Sequence, residues 1–203
     1  MFWDKVACVY DLFVNVVNRD VHEQLKKMVK EEVSENDIVL ECACGTGMLT
    51  EAIAKKCRKV IATDFSQKML EKAGKNCRDL DNIEFSFGNI LNIEYPNESF
   101  DVVVAGNVIH LLDEPLKALK EMERVCKAGG KIIIPTYMNK DKKGNNSTFV
   151  NTVNVAGADF KRQFTFESYQ DFFEEAGYSN GIYHLIEGRI PCAIAVLRKK
   201  EDV

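Results

Sequence analysis

Hydrophobic positions along this chain change period several times, and each change marks an element. Over residues 3–33 they recur with helical spacing. Val6, Val9, Tyr10, Phe13, Val16 and Val17 form one i, i+3, i+4, i+7 stripe. Leu25, Met28 and Val29 mark a second helix over about 20–33, with Asp20 as its N-cap. From Ile38 onward, short apolar runs alternate with helical stretches. Strands are predicted at 38–42, 59–63, 83–87, 100–105 and 131–135, and helices at 48–57, 67–77 and 115–126. Ser66 reads as the N-cap of the 67–77 helix, and Gly129-Gly130 as the terminator of the 115–126 helix. This alternation predicts an α/β fold with a doubly wound, parallel sheet covered on both faces.

The rhythm breaks after Met138. Residues 140–146 are polar and predict a loop, and 148–158 a short helix. A helix over 165–176 carries Phe166, Tyr169, Phe172 and Phe173, with Gly177 as its C-cap. Runs at 182–187 and 192–198 are joined by Gly188-Arg189-Ile190-Pro191, a link too short for a parallel crossover, so an antiparallel hairpin is expected there. A helical preface cannot belong to a strand-first sheet, so residues 1–34 are expected to lie across its mouth as a lid. The rest of the single domain divides into a cofactor-binding core (35–136), an insert (137–164) and a C-terminal helix and hairpin (165–203).

Composition narrows the functional classes. The 203 residues are 46% hydrophobic and 29% charged, as in an ordinary globular domain. A net charge of −4 leaves no basic footprint for nucleic acid. Seven cysteines after a start, Met1-Phe2-Trp3-Asp4-Lys5, that lacks the layout of a secretory signal imply reduced thiols and a cytoplasmic setting. No apolar run approaches the length of a membrane span. Cys42 and Cys44 form only a C-x-C, with no second pair to complete a metal set, so no metal is expected and both read as small buried fillers.

The chemistry concentrates at Glu41-Cys42-Ala43-Cys44-Gly45-Thr46-Gly47. A strand emptying through a glycine turn into a helix is how α/β proteins seat a nucleotide. The dinucleotide fingerprint G-x-G-x-x-G would fall on Ala43, Gly45 and Met48, so two of its three glycines are absent. Glu41 at the strand end repels a pyrophosphate and suits a ligand bearing a cationic amine. Asp64, about twenty residues past the turn, is placed to accept from the two hydroxyls of a ribose, and Phe65 and Met69 to bracket an adenine.

This wording resembles motif I of class I S-adenosylmethionine-dependent methyltransferases, D/E-x-G-x-G-x-G, with Ala43 in place of the first glycine. The resemblance runs from about 35 to 198. It is carried by Glu41–Gly47, Asp64, Phe100-Asp101-Val102-Val103, 106–112, Gly129-Gly130-Lys131 and the terminal hairpin, and is nearest to the ubiquinone/menaquinone-biosynthesis type. It implies a Rossmann-like sheet of seven strands and S-adenosyl-L-methionine as cofactor. It also implies cofactor contacts at Tyr10, Glu41, Ala43, Gly45, Thr46, Gly47, Asp64, Phe65, Met69, Asn89, Ile90 and Asn107. Asn89 stands where the family often has an acid. His110, at the mouth of the fourth strand, is the candidate general base, equally readable as a hydrogen-bonding partner of a helix end. The implied activity is methyl transfer to a small, partly apolar acceptor by in-line displacement. A cofactor-binding sensor or partner-binding module without methylation, and an NAD-type oxidoreductase, are the alternatives.

Overall fold

The computed structural model describes residues 18–138 and 161–200. The expected helices at 3–17 and 148–158 and the 140–146 loop lie outside these. In order, the described chain forms α1 (Arg19–Glu31), β1 (Ile38–Cys42), α2 (Met48–Ala54), β2 (Lys59–Asp64), α3 (Gln67–Asn76), β3 (Ile83–Phe87) and β4 (Phe100–Val104). A 3-10 turn (Ile109–Leu111) leads into α4 (Pro115–Val125), β5 (Cys126–Tyr137), α5 (Phe166–Glu175), β6 (Ile182–Ile186) and β7 (Cys192–Arg198).

The seven strands form one sheet in the order β3-β2-β1-β4-β5-β7-β6. The pairings from β3 through β5 are parallel, and β7 runs antiparallel to both β5 and β6. Side chains alternate across the sheet with period two, and both faces are apolar because both are covered. Val39, Val102, Val104, Ile133, Ile194 and Val196 face one side, with α1, α2 and α3. Leu40, Val103, Ile132, Ile134, Ala195 and Leu197 face the other, against α4 and α5.

The described half of the helical preface is thereby part of the core. Val21, Leu25, Val29 and Val33 are buried on the sheet face, each contributing about 1.5–3 kcal/mol. Its N-cap position falls on Asn18 rather than Asp20, which lies in the first turn. Asn18 makes no side-chain cap. Its amide instead donates to the Ile190 carbonyl (2.7 Å) and accepts from the Ile190 N–H (3.2 Å), tying α1 to the β6–β7 link.

Other ends follow local chemistry. Ser66 caps α3 by accepting from the Met69 N–H (3.3 Å). Thr165 and Ser168 form a capping box on α5, and Gly177 (φ 98°) closes that helix with Tyr178 N–H reaching the Phe173 carbonyl (2.9 Å). The exception is the end of α4. The chain turns extended at Cys126, which already pairs with Phe100, so Gly129-Gly130 sits inside a twelve-residue β5 at a register shift and does not terminate the helix. Among the described residues no helix is long and apolar enough to cross a membrane.

Candidate functional site

The site gathers where β1, β2, β4 and β5 end. After Cys42 the chain makes a turn in which alternate residues take left-handed φ: Ala43 (53°), Gly45 (56°) and Gly47 (87°). A residue with a Cβ pays about 1–2 kcal/mol there, so Ala43 is strained where its neighbours are not. The turn is pinned from outside. Cys44 N–H donates to the Thr63 carbonyl (3.0 Å) and Gly45 N–H to Asp64 Oδ2 (2.9 Å). A Cβ on Gly45 would meet nothing within 4 Å, so the space above it is open. One on Gly47 would sit 3.1 Å from Cys77 Sγ and 3.2 Å from Ala73 Cα, so that glycine serves the packing of the turn on α3.

Two buried carboxylates flank the turn. Glu41 (2% exposed) accepts from the Thr50 hydroxyl at 2.6 Å. Burial pushes its pKa up to about 8, the neighbouring Asp64 charge adding to the rise and the Thr50 bond opposing it. Asp64 (5% exposed) accepts from Gly45 N–H with Oδ2 and from Ser66 N–H (2.8 Å) with Oδ1. These two donors hold the carboxylate in place beside the turn.

Two cavities open on either side of Gly45. The larger, about 440 Å3, is lined by Glu41, Ala43, Gly45, Thr46, Gly47 and Asn107 of the expected set. The smaller, about 70 Å3, is lined by Asp64, Phe65 and Met69 and shares Ala43, Gly45 and Asn107. Nine of the expected contacts thus converge on one continuous region. Met69 is buried, while Phe65 stays 38% exposed at the rim.

The other expected residues lie apart from these walls. Asn89 is exposed and its amide oxygen accepts from Leu91 N–H (2.9 Å), a local turn. Ile90 is buried in the core on the α4 face. His110 is 2% exposed within the 3-10 turn, and its carbonyl accepts from Arg162 N–H (3.1 Å). It lines neither cavity, although Val108 and Leu111 line the smaller. Burial lowers its pKa to about 4, so the ring is neutral. Tyr10 lies outside the described residues. Cys42 and Cys44 are buried thiols with raised pKa values, as structural fillers should be.

Asn107 (φ 54°), one of the expected contacts, locks the ends of β4 and β5 together, donating N–H to the Pro135 carbonyl (2.8 Å) and accepting from Tyr137 N–H (3.0 Å). Tyr137, His22 and Lys26 escaped the sequence reading. Tyr137 lines the larger cavity, and its hydroxyl is hydrogen-bonded to His22 Nε2 of α1. Lys26, one turn further along α1, lines the same cavity. The i, i+4 spacing of His22 and Lys26 is a weak signal, because nothing in the sequence says which face of α1 meets β5.

Comparisons with known proteins agree with this geometry. Residues 40–134 match the family described as "Methyltransferase domain". A demethylmenaquinone methyltransferase from Staphylococcus saprophyticus is 32% identical over 136 residues, covering 64% of this chain and 58% of that protein. A ubiquinone/menaquinone biosynthesis C-methyltransferase from Bdellovibrio bacteriovorus is 37% identical over 138 residues, covering 65% and 58%. The matched region is thus under two thirds of the length of either relative. Among solved structures, a SAM-dependent methyltransferase from Thermotoga maritima superposes with a TM-score of 0.77 at 21% identity, covering 98% of this chain and 99% of that one. The N-methyltransferase NodS from Bradyrhizobium japonicum, in complex with S-adenosyl-L-homocysteine, gives 0.68 at 19% identity, covering 90% and 87%. At these identities the structural likeness is one of fold.

Proposed function

We propose that this chain, a member of the class I S-adenosylmethionine-dependent methyltransferases, transfers a methyl group to a small, partly apolar acceptor of the quinol type. The observation that carries the reading is the Gly45–Asp64 bond at 2.9 Å, which fixes a buried carboxylate beside an open glycine turn. The cofactor fits this seat on three counts. Open space above Gly45 admits a ligand against the backbone. Asp64 presents two oxygens to a vicinal diol, and Glu41 offers an ammonium a buried carboxyl whose ionised form that cation would favour. A pyrophosphate would meet both acids, which disfavours the NAD-type alternative.

When bound, the cofactor supplies an electrophilic methyl on a cationic sulfur. The chain's part is then to orient the two reactants and exclude water. Glu41, Thr46 and Gly47 hold one end of the cofactor, and Asp64, Phe65 and Met69 the other. Asn107 fixes the wall between them. Asn89 and Ile90, although off the two cavity walls, are assigned to the adenine edge. His110 is assigned the acceptor's proton, which its neutral ring can take. The preface and the 137–164 segment, rich in apolar and aromatic residues, are assigned to the acceptor, and Tyr10 to the cofactor. The quinol class rests on the relatives named above.

The reading is tested with methyl-deuterated S-adenosylmethionine and a reduced demethylnaphthoquinone. A product carrying the label supports it. Cofactor binding with no labelled product, on this acceptor or in a metabolite extract, would favour the sensor alternative.

A further inference from the structure

The two cavities meet at a wall formed, among the described residues, by Ala43, Gly45, Gly106 and Asn107. Of these four only Asn107 carries a polar side chain. It holds a left-handed backbone (φ 54°) that asparagine tolerates better than most residues. Its backbone and its amide are both fixed. The N–H donates to the Pro135 carbonyl at 2.8 Å, and Oδ1 accepts from the Tyr137 N–H at 3.0 Å. Only the amide oxygen can meet that N–H, so the group has one orientation, with Oδ1 committed to β5. Nδ2 makes no hydrogen bond among the described residues, and its two N–H groups remain as donors on a residue that lines both cavities.

A fixed donor at this place has a narrow set of partners. In the cofactor reading above, each cavity takes one end of the ligand, so its middle passes the shared wall. That middle is the sulfonium, a cation that accepts no hydrogen bond. The amide is therefore not used by the group beside it, and its partner is a lone pair brought by the second reactant. A protonated amine has no lone pair to offer, and a neutral amine has only the one it must use in the reaction. A ring oxygen has lone pairs to spare, and the charge it gains on losing its proton strengthens the bond it accepts. Asn107 is half-buried and already oriented, so it meets that charge without reorganising.

We propose that the Asn107 amide recognises the acceptor: Nδ2 donates to an ionisable ring oxygen of a phenol or hydroquinone and holds it as the anion. The inference rests on the cofactor reading above and adds to it the group that selects the acceptor's chemistry. Asn107 touches the acceptor through Nδ2 alone, while Oδ1 and the backbone N–H keep the ends of β4 and β5 together.

The test is an absorbance pH titration of 4-nitro-1-naphthol, a dye that ionises in mildly acidic solution and is coloured as its anion, bound to the protein loaded with S-adenosyl-L-homocysteine. Two variants tolerate the left-handed φ. Asn107→Asp still accepts from the Tyr137 N–H but replaces the donor with a carboxylate, and Asn107→Gly removes the side chain. The charged residues of the described cavity lining, Lys26, Glu41, Glu51 and Asp64, are common to all three proteins. The wild type should favour the bound anion about tenfold or more relative to Asn107→Asp, so the dye ionises about one pH unit or more lower, with Asn107→Gly in between. Calorimetric affinity for S-adenosyl-L-homocysteine should stay within about threefold of wild type in both variants. Ionisation at the same pH in all three proteins, or no binding of the dye to the loaded wild type, would overturn the proposal. A larger loss of S-adenosyl-L-homocysteine affinity in both variants would also overturn it, assigning the amide to the cofactor. If S-adenosyl-L-homocysteine does not bind the wild type, the cofactor reading itself fails.

Discussion

The backbone N–H of Gly45 donates to the carboxylate of Asp64 across nineteen residues of sequence, joining the turn after β1 to the end of β2 at 2.9 Å. Asp64 also accepts from Ser66 N–H, so it organises the turn and the α3 cap before any ligand arrives. Asp64→Ala would leave both donors unpaired, at about 1–3 kcal/mol each. Asp64→Asn keeps one acceptor oxygen and should retain the fold, while weakening cofactor binding by about tenfold as charged acceptors become neutral. Calorimetry alongside thermal denaturation checks this. An unchanged affinity in a folded Asp64→Asn protein would sink the ribose assignment.

Ala43 is the one residue of the turn with a Cβ in a glycine conformation, at φ 53°. Ala43→Gly removes about 1–2 kcal/mol of strain but gives back about 0.4–1 kcal/mol by loosening the unfolded chain. Stability should therefore change by no more than about 1 kcal/mol, with cofactor binding retained. Ala43→Val adds a β-branched side chain that enters both cavities, and is expected to lose about 2 kcal/mol or more together with binding. Denaturant midpoints and calorimetry on the two variants distinguish strain from cavity filling.

Stability should peak near pH 6.5. His22 and His110 have pKa values lowered by burial from 6.5 to about 4, so the unfolded chain binds more protons below 6.5. Their contribution is complete above pH 6.5 and is lost as pH falls toward 4, at up to about 1.4 kcal/mol per pH unit each. Glu41 works the opposite way. Its pKa rises from 4.5 to about 8, so its contribution is complete below pH 4.5 and is lost as pH rises to 8. Between 4.5 and 6.5 the two imidazoles outweigh the one carboxyl, and above 6.5 Glu41 acts alone among these three. Urea denaturation from pH 5 to 8.5 should show this dome, and Glu41→Gln should flatten its alkaline side.

His110 lies in the chain between Val108 and Leu111, which both line the smaller cavity. If it takes the acceptor's proton, His110→Asn should lower kcat by about a hundredfold or more with cofactor affinity unchanged. The acid limb of the wild-type rate should then fall near pH 4 rather than 6.5. Undiminished turnover in the variant would leave orientation alone as the source of rate.

Much of this molecule was legible in sequence where local signals were redundant. β1, β3 and β7 begin and end where the apolar runs do, and Ser66 caps as its position suggested. The Glu41–Gly47 turn and Asp64 were readable because strand, turn and helix chemistry all pointed to one seat. The start of β5 was not. Leu116, Leu119, Met122 and Val125 keep helical spacing up to Cys126, and a glycine pair follows, which mimics a capped helix. Pairing of Cys126 with Phe100 overrides that signal, and no local pattern encodes it. The same holds for His22, Lys26 and Tyr137, which are brought together by packing of α1 on the sheet across more than a hundred residues. Asn89 adds a local bond that its place in the chain did not announce, its amide oxygen accepting from Leu91 N–H two residues on.

Titration of S-adenosyl-L-homocysteine and of NADH into the wild-type protein tests the seat formed by Glu41, Gly45 and Asp64 most directly. The expected result is saturable one-to-one binding of S-adenosyl-L-homocysteine at micromolar concentration, with no heat from NADH. Binding of NADH, or silence with S-adenosyl-L-homocysteine, would contradict it.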